Sequence, residues 1–276
     1  MKYQNTSQPT ILQIYESHSW KREYERFMPL SRYVYRPVGF LVTWVAVRLG
    51  ITTEIASYIS AVLGAGGLFL ITTKDPNMLI SGIILLHLFN LFDCVDGSIA
   101  RVMKTENPYG KFLDSIIGDA VNFCFFLVVG VMIFQNPGLS FYRLVDPGIT
   151  PNTWLLIGGC TALGYVLLQH IEDIYDSQLR KSWDNLSGAN LHDDSAKDER
   201  GEAKIAIHKM KDFSHLFRLI DRNLRVRETH YFILIFAYWL CFIDIFLVFF
   251  LVYYSVRVLA TTIVFGRRAI ILKKQR

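Results

Sequence analysis

The polar and apolar positions of this chain do not alternate as in half-buried strands, nor do they stripe one side of short helices. They separate into long blocks. Apolar runs cover 53–73, 78–103, 109–135 and 152–178, each bounded by Pro, Asn or Gly, and a further run of nearly 40 residues covers 229–266. A helix needs about 20 apolar residues to cross a bilayer, so the first four runs predict one crossing each. The last is either one overlong helix or two short ones folded back near Asp244. Residues 29–49 are apolar as well, but Arg32, Arg36, Pro37 and Arg48 interrupt them.

Charge settles the parity. Lys and Arg concentrate at 21–48, 101–111, 180–227 and 267–276, whereas 136–153 holds only Arg143. The excess of Lys and Arg on cytoplasmic loops places the four basic regions on that side. Basic residues then flank 29–49 at both ends, which predicts a segment lying in the interface. They also flank 228–268, which predicts two crossings. The expectation is an all-α integral membrane protein: six transmembrane helices, preceded by an N-terminal interfacial amphipathic helix, with both termini and the active site facing the cytoplasm. That means the cytoplasmic membrane of a bacterium or the endoplasmic reticulum of a eukaryote. The expected divisions are 1–50 (interfacial), 51–178 (helices 1–4), 179–227 (polar insert), 228–268 (helices 5–6) and 269–276 (basic tail). No cleavable signal peptide is expected, since residues 1–28 are polar and of mixed charge.

Composition agrees with this picture. Apolar residues make up 52% and charged residues 19% of the 276, and the net charge of +5 suits an anionic leaflet. No basic stripe interleaved with aromatics lies outside the apolar runs, so nucleic acid is not an expected partner. Cys94, Cys124, Cys160 and Cys241 all fall in apolar stretches without metal-type spacing and read as small hydrophobes. In the insert, 184–202 is turn-rich. Beyond it, Met210, Phe213, Phe217, Ile220 and Leu224 recur at helical spacing among Lys and Arg, a pattern for an anionic surface or for the protein's own face.

The chemistry lies where carboxylates interrupt the apolar runs: Asp93, Asp96, Glu106, Asp114 and Asp119. One carboxylate at the centre of a membrane helix costs about 2.5–3.5 kcal/mol on insertion scales, so a group of them calls for a bound cation. Asp93 and Asp96, at i and i+3, share a helix face. Gly97, Ala100 and Arg101 continue it, with small residues that admit a ligand and a forked donor for phosphate. Gly110 opens the next helix and Asp114 lies one turn inside it. Donors of oxygen alone favour Mg²⁺ or Mn²⁺. Gly64, Gly66 and Gly67 predict close helix approach, and His87 and Asn90 predict hydrogen bonds between helices.

The run Asp93-Cys94-Val95-Asp96-Gly97-Ser98-Ile99-Ala100-Arg101, then eight residues, Gly110, three residues and Asp114, resembles the signature of the CDP-alcohol phosphotransferase family. That signature reads D-x2-D-G-x2-A-R-x7-8-G-x3-D-x3-D, and all its fixed positions but the last are met. The resemblance implies transfer of a phosphatidyl or other phospho-alcohol group from a CDP-linked donor, CDP-diacylglycerol above all, to an acceptor hydroxyl in phospholipid synthesis, with release of CMP. It implies two divalent ions on Asp93, Asp96, Asp114 and Asp119, a nucleotide pocket lined by Asp93, Gly97, Ala100, Arg101 and Gly110, and a homodimer. Relatives carry a Thr-Pro-Asn-like turn before the first span. Here Gly50-Ile51-Thr52-Thr53-Glu54 keeps Thr52 as a cap that would border the nucleotide. The last signature Asp, the general base, is replaced by Gly118, with Asp119 one place later. One extra residue turns a side chain about 100°, so assigning the base to Asp119 calls for a π-bulge near Gly118. Glu172, Asp173 and Asp176, beside Arg180, lean toward an unphosphorylated acceptor, since like charges repel; the plainer reading is pairing with Arg180, Lys181 or water. The competing readings are an Mg²⁺-dependent membrane prenyltransferase, which would leave Gly97, Ala100 and Arg101 unexplained, and a transporter using the Asp cluster.

Overall fold

The computed structural model describes residues 8–19, 21–142, 150–186 and 214–274. Among them the chain is helical, with no strand: α1 (Ile11–Ser17), α2 (Lys21–Tyr24), α3 (Arg36–Arg48), α4 (Thr53–Leu70), α5 (Pro76–Met103), α6 (Pro108–Gln135), α7 (Asn152–Gln178), α8 (Arg180–Leu186), α9 (Ser214–Leu224), α10 (Arg227–Trp239) and α11 (Ile243–Lys274). Five of these, α4, α5, α6, α7 and α11, are long and apolar enough to cross a membrane. The long run after 228 takes the second of its two possible forms and breaks in two, but only its second half is long and apolar enough to cross a membrane. The break lies at 240–242, ahead of Asp244, with Cys241 at φ +56. The halves are unequal, not both short: α11 has 32 residues, whereas α10 has 13 and rises about 20 Å.

The chain divides into two compact units. The first comprises 1–70, 77–121 and 196–233 and the second 71–76, 122–195 and 234–276. In the first unit, α1 starts with a reciprocal cap: Gln13 N–H donates to Thr10 Oγ1 (3.3 Å) and Thr10 N–H to Gln13 Oε1 (2.8 Å). The 29–49 segment forms a π-helical turn, Ser31–Tyr35, running without a break into α3, with Pro37 in the first turn of α3. Gly39 faces α5, and a Cβ there would sit 3.8 Å from Cys94 Cβ. Farther along, Val42, Ala46 and Val47 pack with Ala56, Val95 and Ile99, which joins α3, α4 and α5.

Gly50 makes the α3–α4 turn, at φ +72, a conformation open to glycine at little cost. Its geometry lets Ile51 N–H reach back to Ala46 O at 2.9 Å. Thr52 then caps α4, its Oγ1 accepting from Ile55 N–H at 3.3 Å. Close helix approach is realised at two of the three expected glycines. A Cβ on Gly64 would lie 2.8 Å from Val121 Cγ2, and one on Gly67 would lie 3.0 Å from Gly82 O, whereas Gly66 has only ordinary contact at 3.5 Å. His87 and Tyr35 meet across helices, Nδ1 to OH at 2.5 Å, as expected for His87.

The second unit packs α7 and α11 with residues 122–135 of α6. Gly130 and Gly158 bring two backbones together, since a Cβ on either would lie within 2.8 Å of a carbonyl oxygen. Phe126, Tyr165, Phe246, Phe250 and Tyr254 fill the interior as a cluster of edge-on, tilted and stacked rings. Asp244 is fully buried at the start of α11, and its carboxylate is answered. It accepts from Ser140 Oγ–H (2.7 Å), Tyr142 N–H (2.7 Å) and Ile245 N–H (2.9 Å).

Much of the expected polar insert, with Met210 and Phe213, lies outside the described residues. Its last part is α9, which turns Phe217 outward (70% exposed) and anchors through Asn223 Nδ2–H to Phe27 O at 2.8 Å.

Candidate active site

One end of the first unit gathers the start of α4, the end of α5 and the start of α6. Thr53 and Thr105 hydroxyls approach to 3.5 Å there, and those of Tyr58 and Tyr109 to 3.1 Å. The α5–α6 turn is tight. Thr105 N–H donates to Ala100 O (2.9 Å), Lys104 takes φ +54, and Asn107 Oδ1 accepts from Gly110 N–H (2.7 Å) to cap α6 from Pro108. Gly110 therefore sits in the first turn of α6, two residues past its start. The turn folds the Asp93–Arg101 stretch back against Asp114.

The carboxylates meet. Asp114 lies within hydrogen-bonding reach of Asp93, and Asp93 and Asp114 are the like charges acting on Asp96. Asp96 is 3% exposed and accepts one hydroxyl hydrogen bond, from Ser57 Oγ at 2.7 Å. Arg101 folds back over Gly97, where a Cβ would lie 3.2 Å from Nη1, and donates from Nη2 to Ser98 Oγ at 3.2 Å. The glycine of the signature thus makes room for the arginine of the signature.

The first Asp of the signature has a partner from far along the chain. Arg227, first residue of α10, forks onto Asp93, Nη1 to Oδ1 at 3.1 Å and Nη2 to Oδ2 at 2.8 Å. Its Cζ stands 5.5 Å from the ring of Phe89, one turn before Asp93 on α5, so ring face and carboxylate form a slot for the guanidinium. The other wall is Gly118, which is buried: a Cβ there would lie 3.1 Å from Nη1. Where the signature has its last Asp, this protein has a guanidinium.

The expected π-bulge near Gly118 is absent. Residues 108–135 are α-helical throughout, and the one described π-turn is at Ser31–Tyr35. Packing explains the difference: the opening left by Gly118 is filled from outside the helix, and nothing drives the helix to bulge. Asp119 follows on an exposed stretch of α6, and Glu106 is exposed in the α5–α6 turn.

The N-terminal segment borders the site. Lys21 is among the charges acting on Asp114, and Arg101 among those acting on His18. Behind it lies a buried chain of polar groups: His18 Nε2 to Glu25 Oε2 at 2.9 Å, and Arg36 Nε and Nη2 each 2.8 Å from Glu25 Oε1. Burial, with the nearby charges of Arg36 and Arg101, holds the His18 imidazole below its ordinary pKa against the pull of Glu25. Burial pushes Glu25 up, but the His18 hydrogen bond and the Arg36 charge outweigh it and hold the carboxyl below its usual range.

The acceptor candidates lie in the second unit. Glu172 faces Arg257 at 3.7 Å, Asp176 pairs with Arg180 at 2.7 Å, and Asp173 is exposed. Local pairing of Glu172 and Asp176 removes most of the like-charge argument for an unphosphorylated acceptor. Sequence reasoning missed Ser57, Lys21 and Glu228, the last buried beside Arg227 with Asp93 and Arg36 among the charges acting on it. Ser57, one turn after Thr53, was the legible one of these.

By donor type the pocket suits a hard divalent cation, since Asp96 and Asp114 offer oxygen alone. Among the described residues, however, no three Asp, Glu, His or Cys side chains are gathered as one ion's ligands, and Asp93 has both oxygens engaged by Arg227. The residues fit one such ion by chemistry, with Asp93 preoccupied.

No curated protein and no solved structure matches the chain. The family model for CDP-alcohol phosphatidyltransferases matches residues 40–179, a range that holds α4, α5, α6 and α7 and the whole of the Asp93–Asp114 constellation. Members of that family are transferases of phosphate-containing groups and generally depend on divalent metal. Spanning half of the sequence and the acidic pocket itself, the match makes this chain a member of the CDP-alcohol phosphatidyltransferase family.

Proposed function

We propose that the chain moves a phosphatidyl or related phospho-alcohol group from a CDP-linked donor, CDP-diacylglycerol first, to the hydroxyl of an alcohol within a membrane. The observation that carries this reading is the approach of Asp114 to Asp93 from the next helix, with Asp96 within the influence of both and Arg101 folded over Gly97. In the reaction the acceptor oxygen bonds to the phosphorus that carries the alcohol. The bond from that phosphorus to the bridging oxygen breaks, CMP leaves with the electron pair, and the hydroxyl proton passes to a carboxylate. Arg101, with its planar fork, is suited to the pyrophosphate, and Gly97, Ala100 and Gly110 leave the backbone open to the nucleotide. Bound at Asp96 and Asp114, Mg²⁺ or Mn²⁺ would neutralise the pyrophosphate and polarise the attacked phosphorus.

For the proton acceptor we retain Asp119, approaching from the flank of an unbroken helix, about 100° from Gly118. The basic regions around α5–α6 and after α7 support a site on the cytoplasmic side, with α10 and α11 completing six spans. The test incubates purified protein with CDP-diacylglycerol, divalent metal and a panel of alcohols, and identifies the lipid formed. The expected result is a phosphodiester product with CMP. Asp119→Asn abolishes turnover and spares donor binding, and near-normal turnover in that variant refutes its role. A prenyltransferase or transporter would liberate no CMP.

A further inference from the structure

Gly118, Arg227 and Asp93 form an arrangement that the proposed reaction does not use. The guanidinium fills the opening where a side chain at position 118 would begin, 3.1 Å from its Cβ, and engages both oxygens of Asp93. It is held on a third side by the Phe89 ring. The pair is only partly open to solvent, at 24% for the Arg227 side chain and 14% for that of Asp93. The site therefore lacks one carboxylate of the signature and gains one fixed positive charge.

We infer that Arg227 takes the place of one of two divalent cations, so that this chain binds a single hard ion, at Asp96 and Asp114, while Asp93 is neutralised from within. The inference rests on the proposed function only in taking the pocket to be a nucleotide-diphosphate site. A guanidinium is suited to the task because it is permanently charged and offers two parallel donors to one carboxylate. Arg227 is a positioning residue here: it fixes Asp93 and sets how much charge the pocket takes from solution.

The test counts ions. Full-length protein in detergent is titrated with Mn²⁺ at saturating CDP, and free Mn²⁺ is read from its electron paramagnetic resonance signal. The wild type binds one Mn²⁺ per chain and Arg227→Lys also binds one. Arg227→Gln, its Asp93 released, binds two. Asp93→Asn keeps the count at one, whereas Asp96→Asn abolishes it; these variants leave Arg227 in place and guard against misfolding of the Arg227 substitutions. Two ions on the wild type, or one on Arg227→Gln, overturns the inference and leaves the proposed function standing. No Mn²⁺ on any of the proteins overturns both.

Discussion

Two acidic sites in this molecule look alike in sequence and differ in kind; Asp244 and Asp96 are buried, whereas Asp93 is half-buried and Asp114 exposed. Asp244 lies in the second unit amid apolar residues and is fully buried, yet three donors converge on its carboxylate. A buried carboxylate so answered joins a loop to a helix start and needs nothing further. In the first unit, Asp96 is as deeply placed but accepts one side-chain hydroxyl bond, from Ser57, while Asp93 and Asp114 press like charge upon it. Arg227 pairs with Asp93, and Arg227 and Lys21 also act on Asp114. Asp96 is answered by a hydroxyl rather than a charge, so the pocket suits a cation from outside. The mark of a site in an apolar helix is therefore the excess of carboxylates over donors.

The comparison breaks most visibly in turnover. Asp96→Asn is expected to lower CMP release by about 10²–10³-fold, the usual cost of removing one electrostatic group from a reaction centre, with the fold retained. Asp244→Ala is expected to keep metal-dependent turnover in the protein that folds while costing about 1–3 kcal/mol of stability, read as a lowered thermal midpoint in detergent. If Asp244→Ala abolished turnover in folded protein, or Asp96→Asn left it intact, the two sites would not differ as described.

A smaller effect sharpens the comparison at the N-terminal segment, where His18, Glu25 and Arg36 form a third buried polar group, joined by hydrogen bonds to Glu25. The folded pKa of His18 lies below its ordinary 6.5 and that of Glu25 below its ordinary 4.5. For both groups the unfolded chain binds protons first as pH falls, so their support is present above those values and lost below them. Protection factors of the amides of residues 8–19 and 21–36, corrected for the intrinsic pH dependence of exchange, are expected to fall between pH 7.5 and 5.5 through His18, and further toward pH 4 through Glu25. Equal protection at all three pH values would contradict this.

The legible parts of the molecule were those written locally. Apolar runs gave the long helices, Asp93 and Asp96 three apart gave one acidic face, and Thr52 gave a cap. Two features resisted for physical reasons. The break is expected near Asp244, but its exact place at 240–242 carries Leu, Cys and Phe, without Gly or Pro, and rests on the positive φ of Cys241 that no composition rule anticipates. The missing signature Asp suggested a rearranged helix, because a sequence read along one helix shows the gap at Gly118 and not what fills it. Arg227 comes from 109 residues farther on, and only tertiary packing places it there.

The most direct measurement is CMP released from CDP-diacylglycerol by the purified protein with an acceptor alcohol, in Mn²⁺ and again in excess chelator. The account predicts steady CMP release with metal and its loss on chelation. Release that persists without metal, or no release with any divalent ion and any alcohol, would contradict it.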